Sequence, residues 1–218
     1  RSVRPPVLEP GSRIAVTCPA SPVAQPERIE RGAARLREMG FEVVVGKTCA
    51  IRDGLWAGED RARAEELITF LRDPSLDAIF AGRGGVGCLR LLPFLEDLPR
   101  DSAPKWIVGR SDLTALHLSF WGRSRWVGLS GPMVATDLGD DTRRAVVERT
   151  LRLLLDPEPL GLLTGDSMAA WRGGSAEGVL IPANLSVISS MVGTRFLPSL
   201  AGAILVLEEI EEPPHRCD

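Results

Sequence analysis

Residues 13–46, RIAVTCPASPVAQPERIERGAARLREMGFEVVVG, decide the fold. RIAVTC at 13–18 is a short apolar run of strand type. The loop that follows brings Pro26 to a helix start. Ile29, Ala33, Leu36 and Met39 then share one face at spacings of four, three and three, which is a helical stripe. Gly40 is the expected stop, and FEVVVG at 41–46 is a second strand. A strand, helix and strand in so short a span imply a right-handed parallel crossover.

The alternation continues outward. GLWAGEDRARAEELITFLRD (54–73) is a loop running into a helix, and LDAIFAG (76–82) is a third strand. GRGGVG (82–87) is a glycine-rich turn, and CLRLLPFL after it is a short helix. KWIVG (105–109) is a fourth strand and LTALHLSFWG the next helix. WVGLSGP (126–132) reads as a short strand and turn, and 141–155 as a helix. After Asp156 the texture changes to Pro- and Gly-punctuated sequence without helical period. The expected organisation is an open parallel α/β domain over 1–156 and a linker over 157–168. A smaller second domain over 169–218 carries the strand AGAILVLEEI.

Composition narrows the partners. An apolar fraction of 44% with 25% charged residues is that of a globular domain able to bury a core without staples. A net charge of −3 gives no electrostatic reason for nucleic-acid or membrane binding. AGAILVL (201–207) is too short to span a bilayer, and the first residues lack the apolar stretch of a signal peptide. Cys18, Cys49, Cys88 and Cys217 form no paired spacing, which suits reduced thiols in a cytoplasm-like compartment. No His/Cys spacing suggests a metal site, and no motif calls for a cofactor.

Three short segments are candidates for chemistry. In VGRSDLTALH, Ser111 stands where a buried strand meets a helix. A sharp turn there projects a hydroxyl as a nucleophile elbow, and the Asp112 N–H becomes an oxyanion donor. The bland alternative makes Ser111 or Asp112 a helix N-cap. GRGGVG offers backbone N–H groups to a phosphate or an oxyanion, or is only a tight turn needing positive φ. It completes neither a dinucleotide fingerprint nor a Walker loop, so nucleotide binding is a weak third reading. Glu208 and Glu209 close the last strand, where a carboxylate can orient a histidine or merely face solvent. Only two histidines exist. His117 lies six residues along the helix from Ser111, a spacing that turns it away from the elbow, and His215 lies at the C-terminus.

Taken in order, these segments resemble the LD-carboxypeptidase family of serine peptidases, which includes muramoyltetrapeptide carboxypeptidases and microcin-immunity peptidases. RIAVTCPASPV, AGRGGVGCLRLLP, VGRSDLTALH with SGPM, NLSVISSMVGT and AGAILVLEEIEEPPHR carry the resemblance, which spans 8–216. It implies a homodimer of a Rossmann-like domain joined to a small β-rich domain. It implies a Ser-Glu-His triad acting from between them, with Ser111 as nucleophile and Glu208 orienting the base. Asp112 and the Gly84–Gly85 turn would form the oxyanion hole, and Arg83 and Arg110 are candidates for the substrate carboxylate. The implied reaction removes a terminal D-amino acid, typically D-alanine, from a murein tetrapeptide during cytoplasmic wall recycling. The Arg-Gly-Gly block and SGPM look more like the murein branch than the microcin-immunity branch. Val86 replaces a usual Tyr, and Pro182-Ala183 replace a Gly pair. The family's histidine belongs to a block beyond position 218, so the second domain reads as truncated and the chain alone as incomplete for catalysis. A non-catalytic peptide- or anion-binding module on the same fold is the competing expectation.

Overall fold

The computed structural model describes residues 2–98, 103–140, 142, 144–156, 158, 161–162 and 168–217. The 157–168 linker and the first residues of the 141–155 helix lie largely outside them. Four strands form one parallel sheet: β1 (Arg13–Thr17), β2 (Glu42–Val45), β3 (Ala78–Ala81) and β4 (Trp106–Val108), in the order β2-β1-β3-β4. Helices α1 (Glu27–Glu38), α2 (Asp60–Arg72), α3 (Cys88–Leu91), α4 (Thr114–Ser124) and α5 (Arg144–Leu155) follow in chain order.

Strand periodicity sorts the core into two layers. Ile14, Val16, Ala78, Phe80, Trp106 and Val108 pack on one face with Ile29 and Leu36 of α1 and Leu151 of α5. Ala15, Ile79, Ala81 and Ile107, their neighbours in sequence, pack on the other with Leu67 of α2, Leu91 of α3 and Leu116 of α4. Side chains alternate across a strand, so a sheet covered on both faces needs near-continuous apolar strands. AIFA in β3 is buried at all four positions for that reason.

The second unit is another strand–helix–strand: β5 (Val179–Asn184), α6 (Leu185–Met191) and β6 (Ala203–Glu208), with β5 and β6 parallel, followed by the short α7 (Pro214–Cys217). It joins the layer that holds α4 through Ile181, Ala183, Ile188 and Met191. A buried hydrogen bond, Asn184 N–H to Thr114 Oγ1 at 2.9 Å, fixes the end of β5 against the start of α4.

The local expectations differ from the structure in one place. WVGLSGP forms no strand but two isolated bridges, Val3 to Trp126 and Val108 to Leu129. Gly128 and Gly131 with Pro132 leave too short an uninterrupted run to propagate a ladder. No helix among the described residues is long and apolar enough to cross a membrane.

Phe80 sits in the middle of the sheet with no exposed surface. Phe80→Ala is expected to lower the unfolding free energy by about 3–5 kcal/mol, read from denaturant titration.

Candidate active site

The strand order reverses between β1 and β3, and in open α/β sheets the crevice forms at the carboxyl ends beside such a switch. Three loops meet there. Ser21 comes from the loop after β1, Gly84–Gly87 from the turn after β3, and Ser111 from the junction of β4 with a 3-10 turn (Ser111–Leu113) leading into α4.

Ser111 has φ +62°, in the left-handed region that a side-chain-bearing residue rarely enters. Such strain persists only where the surroundings enforce it. Gly109, at φ +153°, faces Leu113 and Ala81 so closely that an added Cβ would lie 2.5 Å and 2.9 Å from their side chains. Gly109 N–H donates to the Leu129 carbonyl at 3.1 Å, and its own carbonyl lies 2.9 Å from His117 Nε2. The chain is thus anchored before the elbow. The Ser111 side chain is half-buried and makes no hydrogen bond to a described residue, so it is not a helix cap.

Asp112 does the capping instead, for a different helix. Its buried Oδ2 accepts from Cys88 N–H, the first residue of α3, at 2.7 Å. Burial pushes the Asp112 carboxyl above the ordinary range, against the lowering effect of the Cys88 bonds and of Arg63. The glycine turn lies directly against the elbow: a Cβ at Gly84 would be 3.0 Å from Ser111 Cβ and 3.2 Å from its Oγ. Gly85 (φ +118°) and Gly87 (φ +137°) give the turn its path. Ser21 holds it from the far side, donating its N–H to the Gly84 carbonyl at 3.4 Å and accepting from Val86 N–H at 3.1 Å.

A cleft of about 590 Å³ opens on this arrangement. Gly85, Val86, Ser111 and Asp112 line one side, and Asn184, Ser186 and Glu209–Glu212 the other. The structure therefore brings Ser111, Asp112 and the glycine turn together, facing the acidic end of β6. Glu208 is the last residue of β6; its carboxylate is half-buried, with Oε1 shielded from solvent and no described partner. Glu209, named beside Glu208 in the sequence but not given the orienting role, lines the cleft and is saturated. It accepts from the Ser186 hydroxyl, Ser186 N–H at 2.9 Å, Ile210 N–H at 2.8 Å and Asn184 Nδ2 at 3.3 Å.

The two arginines are not brought to the cleft. The Arg110 guanidinium is held in bidentate fashion by the buried Asp137 and lines a separate cavity with Ser130, Gly131 and Thr150. Arg83 reaches back to the Pro22 carbonyl at 3.1 Å. His117 does turn from the elbow hydroxyl, and burial lowers its pKa, favouring the neutral ring that bonds Gly109. His215 sits exposed on α7. No group of metal-ligating side chains occurs among the described residues.

The four donors to Glu209 stabilise its ionised form and hold its pKa down to about 2 from the ordinary 4.5, the Ser186 hydroxyl contributing most. A depressed carboxylate contributes stability above its unfolded pKa and loses it as pH falls through the folded value. The wild-type protein should therefore lose stability from about pH 4.5 down to about 2 more steeply than Glu209→Gln. Parallel thermal unfolding curves over that range would mean that these bonds do not select the ionised form.

Comparison with known proteins places this geometry. Residues 14–131 match the LD-carboxypeptidase N-terminal domain, and residues 177–218 match the LD-carboxypeptidase C-terminal domain. A Synechocystis protein under a carboxypeptidase name is 36% identical over 218 residues, covering 99% of this chain and 69% of that protein. The murein tetrapeptide carboxypeptidase of Pseudomonas aeruginosa is 33% identical over 214 residues, covering 94% and 69%. The crystal structure of an MccF-like protein from Bacillus anthracis superposes with a TM-score of 0.84 at 26% identity, covering 95% of this chain and 70% of that one. The two matched domains and this level of identity establish that the chain belongs to the LD-carboxypeptidase family.

Proposed function

We propose that this protein is a serine carboxypeptidase that releases a terminal D-amino acid, D-alanine in the first instance, from a murein peptide. The observation that carries the reading is the left-handed backbone of Ser111 at the carboxyl end of β4, beside the glycine turn. A serine hydroxyl in that strained setting, unbonded and open to a cleft, is what nucleophilic attack requires.

In this mechanism Ser111 Oγ loses its proton to a base and bonds to the scissile carbonyl carbon. The carbonyl oxygen takes the negative charge and is met by the Asp112 N–H and an N–H of the Gly84–Gly85 turn. Collapse returns the proton to the leaving amine and frees the D-amino acid. Water, activated by the same base, then cleaves the ester on Ser111. His117 is not that base, since its Nε2 is on Gly109. The family resemblance assigns the base to a histidine of a later block, oriented by Glu208, whose Oε1 is shielded and without a donor among the described residues. A buried acceptor left unpaired is costly, and an imidazole N–H would satisfy it. Arg83 and Arg110 have no part in this reading, being committed elsewhere. Glu209 and Glu212 make the facing wall acidic, which favours murein peptides bearing a cationic side chain over anionic substrates. The same resemblance supports a homodimer working in cytoplasmic wall recycling.

In the active protein, Ser111→Ala should lower kcat for D-alanine release from a murein tetrapeptide by at least about 10⁴-fold. Labelling by a fluorophosphonate should disappear with it. D-alanine release surviving the substitution would overturn the assignment, and peptide binding without labelling of wild type would favour a non-catalytic module.

A further inference from the structure

The Asp112 side chain does something that its backbone role does not explain. Asp112 is 3% exposed, and burying a carboxylate against a backbone N–H is an expensive way to cap a helix of four residues. A hydroxyl or amide would cap α3 at lower cost. The bond is unusual in what it spans: Asp112 and Cys88 are 24 residues apart, one at the elbow and one at the exit of the glycine turn. Among the described residues the hydrogen bonds joining the segment 82–91 to the elbow at 109–113 all end on this carboxylate, which takes both the N–H and the thiol of Cys88. The other ties on the turn run elsewhere: Gly82 to Ala135, Arg83 to Pro22, Val86 to Ser21 and, at 3.3 Å, the Gly87 carbonyl to the guanidinium of Arg63.

We infer that the Asp112 carboxylate is a positioning residue that sets the separation between the two donors of the oxyanion hole. The inference rests on the function proposed above. Asp112 supplies one N–H from its own backbone; through its side chain it fixes the strand exit that carries the other. Oxyanion donors must lie within about 2.7–3.1 Å of where the charge develops. Gly84 already touches Ser111, so the turn can move only away from the elbow, and the Asp112–Cys88 bond is what opposes that motion. The carboxylate is buried and, among the described residues, makes no hydrogen bond to Ser111. Its loss should act on the transition state and leave substrate binding nearly intact.

The test compares wild type, Asp112→Ala and Asp112→Asn in the active protein. The readouts are kcat and KM for D-alanine release, hydrogen exchange of the amides at 84–88, and thermal unfolding. Asp112→Ala should lower kcat about 10²-fold, since a displacement of about an ångström costs that much, with KM within about threefold. The Cys88 amide should lose protection. Asp112→Asn, whose Oδ1 still accepts from Cys88, should recover most of the rate and the protection. A loss of thermal stability in Asp112→Ala with kcat of the folded protein unchanged would reduce the residue to a helix cap and overturn the inference. So would an Asn variant that restores protection without restoring kcat. If Asp112→Ala does not fold, Asp112→Ser serves in its place: kcat falling together with Cys88 protection supports the inference, and protection lost at constant kcat overturns it. D-alanine release persisting in Ser111→Ala would instead sink the function reading, and this inference with it.

Discussion

The site depends on a backbone constraint at one residue. Ser111 is held at φ +62° between a buried strand and a helix start, and the conformation costs on the order of 1–3 kcal/mol. What enforces it is visible upstream and downstream. Gly109 is packed on Leu113 and Ala81 with no room for a side chain, and its N–H and carbonyl are both engaged. Thr114, the first residue of α4, is tied to the second unit through Asn184. The elbow therefore cannot relax without disturbing the sheet, α4 or the contact between the two units. A single flexible loop could not hold a hydroxyl in this way.

The loops around the elbow are rigid for a second reason. Arg63 on α2 is completely buried, yet its guanidinium is used by the carbonyls of Pro19, Gly58 and Gly87 and by Asp60. Those carbonyls belong to the loops after β1, before α2 and after β3. A buried charge of this kind is weak evidence for stability, because desolvation offsets much of what pairing gives. Arg63 and Asp60 stand where the three loops must keep register, and the ion pair with Arg90 extends the same network to α3. The sheet supplies the platform, and a buried arginine supplies the geometry of the turns upon it.

Much of this was legible in the sequence. The alternation of short apolar runs with helical stripes gave β1 to β4 and their helices, since a sheet covered on both faces leaves a strong period. Ser111 and the Gly84–Gly85 turn stood out because strand-to-helix junctions with glycine have few uses. Arg63 did not, because RARAEEL reads as a solvated helical face and nothing local reveals that its residue 63 turns inward. Arg110 was misleading for the complementary reason: its partner Asp137 lies in a π-helical turn, Val134–Leu138, that pattern reading does not reveal. Ser21 and Ser186 are ordinary serines until tertiary structure brings each to a partner.

The two adjacent acids at the end of β6 illustrate how chemistry can be divided between neighbours. Glu208 ends β6 and Glu209 begins the loop after it, and the two enter different surroundings although their side chains are identical. Glu209 spends its acceptor capacity on Ser186, Ile210 and Asn184, and four donors leave it little room for an imidazole. It ties β6 to α6 and forms the wall of the cleft. Glu208 is paired in register with Asn184, which fixes its backbone, while its Oε1 is shielded from water and unclaimed among the described residues. Orienting a base requires a carboxylate that is held in place but still has an acceptor to give. Of the two, only Glu208 meets both conditions, and the saturation of Glu209 is part of what holds it there.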